Sequence, residues 1–148
     1  ECVKISSGYV VGGNGSAAPI IGVLNGIFYN DASTLKPTFA NFYKATITPA
    51  NSEDTTAFVI DDPFQQYVVA ADTATGVATF LETYDMNSSA GSDTTGKSSS
   101  TLAIGTTSAN DKQFRMLRSA EDPENEDATA VRHSVIVVSN QNSFNGHN

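Results

Sequence analysis

At 148 residues, of which 39% are hydrophobic and 16% charged, the chain has the size and composition of one folded domain rather than of a disordered segment. Sixteen acidic against eight basic residues give a formal net charge of −8; this field repels phosphate backbones and anionic lipid surfaces, so we expect neither nucleic acid nor a membrane as a partner. The single cysteine excludes an internal disulfide, so packing and strand pairing must hold the fold together.

The first thirty residues predict a central strand and its neighbours. Residues 3–11 form short extended pieces interrupted at 6–8, where Ser-Ser-Gly is typical of a turn. Residues 20–29 are apolar on both alternating sets of positions, which indicates a strand covered on both faces. Gly22 and Gly26 inside that strand predict that it bends or lets another backbone approach closely.

A short aromatic segment follows a break at residues 30–33. Phe39, Phe42 and Tyr43 lie beside turns, as Phe64 does further along the chain. Aromatic side chains in such places either fill a core or anchor an interface, and we favour the core interpretation. Under the interface interpretation, the candidate partner-binding residues are Tyr9, Phe39, Phe42, Tyr43 and Phe64.

The middle of the chain predicts a hairpin and one possible helix. Residues 57–60 and 67–70 read as paired strands, and Asp61-Asp62-Pro63 between them supplies a fixed φ angle and acceptors for backbone N–H groups. Apolar residues in the segment 77–84 have the spacing of one helical face, whereas its threonines favour a strand, and both interpretations stay open.

The second half predicts a long loop, two further strands and a tail. Residues 86–100 are rich in Ser, Thr and Gly and indicate a surface loop. Strands are predicted at 114–117 and 131–138, separated by an acidic loop at 121–127. The polar residues 139–148 are expected to leave the domain.

These elements predict an all-β fold, a small antiparallel β-barrel or sandwich with long surface loops and at most one short helix. We expect a single β-rich domain at 1–138, followed by the polar C-terminal tail at 139–148.

Residues 91–98 match the phosphate-binding loop pattern Gly-x-x-x-x-Gly-Lys-Ser. That chemistry requires a buried strand before the loop and a helix after it, so that backbone amides converge on phosphate. Neither is predicted here, and we interpret the match as a loop of favourable composition.

The remaining polar clusters have simpler structural explanations. The acidic loop lacks the glycine and the distal glutamate of a known calcium-loop pattern and is interpreted as a solvated charge run. Asp61 and Asp62 are expected to serve their turn, and His133, between valines in a strand, to be a partly buried structural histidine. His147 belongs to the tail. We therefore predict no catalytic residue, cofactor or metal site, and a chain that is not an enzyme.

Several blocks, in order, resemble the capsid-decoration or cement proteins of tailed bacteriophages, many of them short-tailed and marine. They are residues 3–5 and 7–9, Ile-Gly-Val-Leu-Asn-Gly-Ile-Phe-Tyr-Asn-Asp at 21–31, Lys-Pro-Thr-Phe-Ala-Asn-Phe-Tyr at 36–43, Ala-Phe-Val-Ile-Asp-Asp-Pro at 57–63, and 114–117 ahead of Asp-Pro-Glu-Asn at 122–125.

The resemblance implies a virion structural protein that attaches to the outer surface of the major capsid protein lattice, as a homo-oligomer, and braces the head. The alternative is a carbohydrate- or ligand-binding β-module of a phage fibre or secreted protein, with Tyr9, Tyr43 or Tyr67 as a stacking platform. A nucleotide hydrolase using Lys97 is kept as a third class for the motif match alone.

Overall fold

The strands of the protein form two antiparallel sheets in a computed structural model that describes residues 1–15, 19–105, 111–125 and 127–144. The first sheet contains β1 (Cys2–Ser6), β2 (Tyr9–Gly12), β3 (Gly22–Asn30), β4 (Pro37–Ala40) and β5 (Thr56–Ile60). The second contains β6 (Gln66–Ala70), β7 (Thr83–Tyr84), β8 (Phe114–Ser119) and β9 (Ser134–Ser139). The all-β prediction is confirmed, in its sandwich-like form rather than as a closed barrel.

Strand β3 is the centre of the first sheet, as the sequence predicted. It pairs with β1 and β4 along one edge and with β5 along the other. A Cβ on Gly22 would overlap the carbonyl oxygen of Ile60 in β5, and one on Gly26 would lie 3.0 Å from the carbonyl oxygen of Ala40. The pairing with β5 also shifts register between Leu24 and Gly26, which is the predicted bend.

The core lies against the second sheet, whose strand order is β6-β9-β8-β7. Alternate residues of β8 and β9 point inward and are almost completely buried. Residues of the connecting segments, such as Ile20, Ala71 and Leu102, are buried with them. The core cluster consists of Cys2, Ile20, Ala71, Tyr84, Met86, Leu102, Ile104, Phe114, Met116, Val135 and Val137. The first sheet contributes Cys2 and, at the edge of the cluster, Val23. Most of that sheet therefore projects beyond the main core.

The predicted hairpin of β5 and β6 is wrong, although both strands exist. β5 pairs with β3 in the first sheet, whereas β6 pairs with β9 in the second. The connection at 61–65 thus carries the chain between sheets, and Asp62 fixes it by accepting the Phe64 amide hydrogen at 2.8 Å. Alternation of apolar residues identified the strands but carried no information about the partner of each one.

The helix considered for residues 77–84 does not form. Val77–Thr79 makes one 3₁₀ turn, and β7 follows at Thr83–Tyr84. Leu81 has a φ angle of 65°, which ends any helical path, and Val77 is 84% exposed. The four residues with helical spacing have different exposure, because Val77 and Leu81 are exposed whereas Tyr84 is buried. The fourth of them is Phe80.

The predicted loop at 86–100 and the predicted tail have different outcomes. Beyond Met86, which is buried, the loop has a turn at 93–95 and otherwise no regular secondary structure, and it is mostly exposed, as expected. The tail does not leave the domain at residue 139, because Ile20 donates its amide to Gln141 and accepts the Ser143 amide, with Asn142 buried between them. Residues 145–148, with His147, lie outside the described part of the chain.

Candidate functional site

Three phenylalanine rings cluster on one face of the first sheet, and we call Phe28, Phe39 and Phe58 the aromatic patch. Strand register places Phe39 directly opposite Phe28 and Phe58 opposite Gly26. The ring centroids of Phe28 and Phe39 are 4.7 Å apart, and those of Phe39 and Phe58 are 6.2 Å apart. Phe39 is 71% exposed and Phe58 45% exposed. The rings therefore support one another while they present a large apolar surface to solvent.

A capped turn fixes the position of β4 and hence of Phe39. The Asp31 carboxylate accepts the amide hydrogens of Ser33 and Thr34 at 2.9 and 3.0 Å. The Ser33 hydroxyl and these amides hold the pKa of Asp31 below its usual value, because they stabilise the ionised carboxylate. The Leu35 amide also donates to the Asp31 carbonyl oxygen. The connection between β3 and β4 is thus locally determined, and the register of the patch follows from it.

The opposite face of the same sheet forms a concave surface, which we call the trough. Side chains alternate along a strand, so Ile27 and Ala57 lie on the face opposite Phe28 and Phe58. The trough comprises a cleft of about 800 Å³ and an adjoining cleft of about 520 Å³. Both clefts are lined by Glu1, Leu24 and Tyr43.

The larger cleft combines an apolar floor with aromatic and acidic walls. Val3, Leu24, Ile27 and Ala57 share one face of the sheet and form the floor of the cleft. Tyr9 and Tyr43 also line it, 61% and 55% exposed, and Glu1, Glu53 and Asp54 supply carboxylates. Glu53 is oriented by Asn30, whose side-chain amide donates to Oε2 at 3.1 Å. The volume of the larger cleft lies within the range of about 300–1,000 Å³ that is usual for binding pockets.

The smaller cleft lies between the aromatic segment and the loop that matched the phosphate-binding pattern. Phe42 packs on Gly96, which has a φ angle of 69° and where a Cβ would overlap the Phe42 ring. Lys44 Nζ lies 5.2 Å from the centroid of the same ring. Phe42 is consequently half-buried and serves to hold the loop.

The loop itself does not have the geometry of a phosphate-binding loop. The amides of Ser92 and Gly96 donate within the loop, to the carbonyl oxygens of Lys97 and Ser92 at 2.9 and 2.8 Å. The Thr95 amide donates to the Ser92 hydroxyl. The described residues that follow Ser98, at 99–105, form no helix. The amides that would cradle a phosphate are therefore used to close a turn.

The five candidate partner-binding residues fall into three places. Tyr9, Phe42 and Tyr43 line the trough, Phe39 belongs to the aromatic patch, and Phe64 stands apart in the connection between β5 and β6, 80% exposed. The favoured core interpretation is wrong for Phe39, Tyr43 and Phe64, because more than half of each side chain is exposed.

Sequence reasoning missed Phe28, Phe58, Glu53 and Asp54. Apolar alternation gave Phe28 and Phe58 as strand residues, but only cross-strand register brings their rings to Phe39. Glu53 and Asp54 follow the 3₁₀ turn Ala50–Ser52, and no motif marks them in the sequence.

Two other aromatic and polar candidates have structural roles. Tyr67 is half-buried, its ring meets Phe114 edge-on at 6.3 Å, and its hydroxyl donates to the Ile60 carbonyl oxygen, so both its ring and its hydroxyl contact other parts of the fold. His133 is completely buried, and its ring nitrogens lie 3.1 and 3.3 Å from the Thr75 hydroxyl. His133 is thus more deeply buried than predicted, and it lies just before β9 rather than within the strand.

The carboxylates of the acidic loop stabilise turns. Asp122 accepts the Glu124 amide at 3.1 Å, and Asp127 accepts the Thr129 amide and hydroxyl, which lower the pKa of Asp127. Glu126 lies outside the described residues. Across the described ranges, no three His, Cys, Asp or Glu side chains are gathered closely enough to hold a metal ion.

Within the same ranges, no helix has the length and apolar character to cross a membrane. Comparisons with models of protein families, with curated proteins and with solved structures find no match to this chain.

Proposed function

We propose that this chain is a virion structural protein that binds the outer surface of a major capsid protein lattice and stabilises the head of a tailed phage. The observation that carries the proposal is the aromatic patch, a rigid group of three rings on a projecting sheet. The sequence resemblance to capsid-decoration proteins supplies the identity of the partner. A non-enzymatic role on the virion surface, with small homo-oligomers on the lattice, follows from the same resemblance.

The patch has the properties of an interface anchor. Phe39 would lose most of its exposed area on docking, and roughly 140 Å² of apolar surface at about 25 cal/mol per Å² corresponds to about 3.5 kcal/mol. Its ring is already held between Phe28 and Phe58, so docking costs little additional side-chain entropy. Aromatic anchors of this kind commonly account for a large part of the binding free energy at a protein interface.

A repeating lattice multiplies a weak contact. Each copy of an acidic decoration protein is steered toward basic regions of the shell. Contacts between neighbouring copies and capsomers then make the second attachment effectively intramolecular. One exposed patch per chain is sufficient under these conditions.

The first test is to quantify the chain in purified particles of the virus that encodes it. We expect a high, stoichiometric copy number and particles that withstand a higher temperature with the protein than without it. Absence of the chain from purified particles contradicts the proposal. Binding to glycans without any association with particles would favour the carbohydrate-binding alternative, with Tyr9 and Tyr43 as its platform.

The second test compares two phenylalanines in decoration-free particles. Phe39→Ser should weaken sedimentation with particles about thirtyfold, which corresponds to about 2 kcal/mol for an anchor residue. It should lower the thermal midpoint of the free protein by only about 2–4 °C, through loss of the ring contacts with Phe28 and Phe58. Phe64→Ser, an equally drastic change at an exposed site off the patch, is the matched control and should bind like the parent. Equal binding of the Phe39→Ser variant and the parent would show that the patch is not the anchor.

A further inference from the structure

The larger cleft of the trough has a one-sided charge distribution. Glu1, Glu53 and Asp54 place three carboxylates on it, whereas none of its described lining residues is Lys or Arg. All three acidic residues are exposed. A cation entering the cleft would gain from all three charges, and an anion would be repelled.

The two tyrosines and the apolar floor determine which kind of cation fits the larger cleft. Tyr9 and Tyr43 line the same cleft as the apolar residues Leu24 and Ile27, and both tyrosines are exposed. A tyrosine face attracts a cation by about 0.5–1 kcal/mol at an exposed site. Long aliphatic stems that end in a charge cover such a floor while their heads stay at the wall. Lysine and arginine side chains have this form.

Two strands that border the cleft also have an unpaired edge. Within the described residues, β2 pairs with β1 alone and β5 with β3 alone. Residues of both strands line the cleft, from Tyr9 to Gly12 on one side and at Ala57 on the other. These edges face outward from the strands between them, so an extended chain could add backbone hydrogen bonds to one of them where it passes out of the cleft.

From these observations we infer that the larger cleft of the trough binds an extended segment of a partner protein that carries a lysine or arginine. Its aliphatic stem would lie on the floor, and its charged head would lie between Tyr9, Tyr43 and the carboxylates of Glu53 and Asp54. This inference rests on the proposed function, since it names the chemistry of the capsid segment that the protein engages. It assigns the aromatic patch and the trough to two separate contacts on opposite faces of one sheet.

The experiment selects ligands without assuming a capsid sequence. A random dodecapeptide display library is panned on the intact chain, and selected peptides are synthesised and measured by fluorescence anisotropy. We expect the selected peptides to share a lysine or arginine flanked by apolar residues. Affinity should fall about tenfold in the Glu53→Gln/Asp54→Asn double variant, several-fold in Tyr9→Ala, and further when salt is raised from 50 to about 500 mM.

A matched control separates the trough from the overall negative charge. Glu82→Gln/Glu124→Gln removes the same two charges from exposed sites that do not line the cleft, and it should keep the affinity of the parent within about twofold. Thermal midpoints of all variants should agree, because the altered side chains are exposed. Equal losses in the two double variants would reduce the effect to net charge and overturn the inference.

Other outcomes overturn it as well. Selection of acidic or uncharged peptides, or of no peptide binding more tightly than about 1 mM, is incompatible with a site for basic segments. The proposed function fails separately, by absence of the chain from particles. A chain found on particles whose trough ignores basic peptides would keep the first proposal and lose this one.

Discussion

Gln113 joins the two sheets, and its replacement by leucine should be among the most destabilising changes in the protein. Its side chain is completely buried just before β8. The side-chain amide donates to the Gly13 carbonyl oxygen at 2.6 Å, and Oε1 accepts the Met86 amide at 3.1 Å. The first bond reaches the end of β2, and the second reaches the segment after β7, so one side chain connects both halves of the fold.

The cost of Gln113→Leu follows from the two groups left behind. Leucine is of similar size, so the change removes hydrogen bonds without opening a large cavity. The Gly13 carbonyl and the Met86 amide would each remain buried without a partner, at about 1–3 kcal/mol apiece. Burial of the apolar leucine side chain offsets about 1 kcal/mol of this loss in the free energy of unfolding. We expect a net loss of about 3 kcal/mol in the free energy of unfolding.

Urea unfolding followed by circular dichroism measures this loss. With a slope of about 2 kcal/mol per molar urea, the midpoint should fall by about 1.5 M. Gln66→Leu, the same substitution at an exposed position of β6, should move the midpoint by less than about 0.3 M. If the two variants unfold at the same urea concentration, the side chain of Gln113 does not clamp the sheets and the reasoning is refuted.

Two further predictions concern buried contacts of the first sheet. Burial raises the pKa of the Cys2 thiol from 9.0 to about 12, so Ellman's reagent at pH 8 should react with the native protein about a thousandfold more slowly than with the unfolded chain. The stability that the protonated thiol contributes below pH 9 should be lost as the pH rises toward 12. Rapid labelling of the native protein would contradict this burial. Gly22→Ala should lower the free energy of unfolding by at least about 3 kcal/mol, measured by heat or urea, because its Cβ would overlap the Ile60 carbonyl oxygen. Gly76→Ala, with open space around it, should change the free energy of unfolding by less than about 1 kcal/mol. Similar effects at the two glycines would show that β3 and β5 can separate at little cost.

The fold class could be predicted because strand patterns are local. Apolar alternation identified the central strand, and two glycines inside it predicted the bend that the structure places between Leu24 and Gly26. The same alternation failed for β5 and β6, because it gives the faces of a strand and not its neighbour. Helical spacing at 77–84 failed for a related reason, since a positive φ angle at Leu81 cannot be read from apolar spacing.

The candidate surfaces were predictable only in part. Phe39 and Tyr43 were recognised as possible anchors because they lie beside turns, yet the choice between core and surface depends on which face a sheet turns to solvent. The trough is lined by residues of both β2 and β5 together with Glu53. No local sequence pattern predicts that these residues lie around one cleft. Gln113 escaped notice because a buried glutamine has no sequence signature apart from its partners.

The pairing of β6 with β9 determines when this protein can acquire its fold during synthesis. Strand β6 leaves the ribosome long before its only partner among the described strands, and the last of the core, Val135 and Val137, arrives with β9. Until then Tyr67 and Val69 have no sheet to cover, and the chain must wait in an open, association-prone state. Chains released before β9 is translated should accumulate as aggregates, so a cell that makes many copies of this protein depends on completing each one.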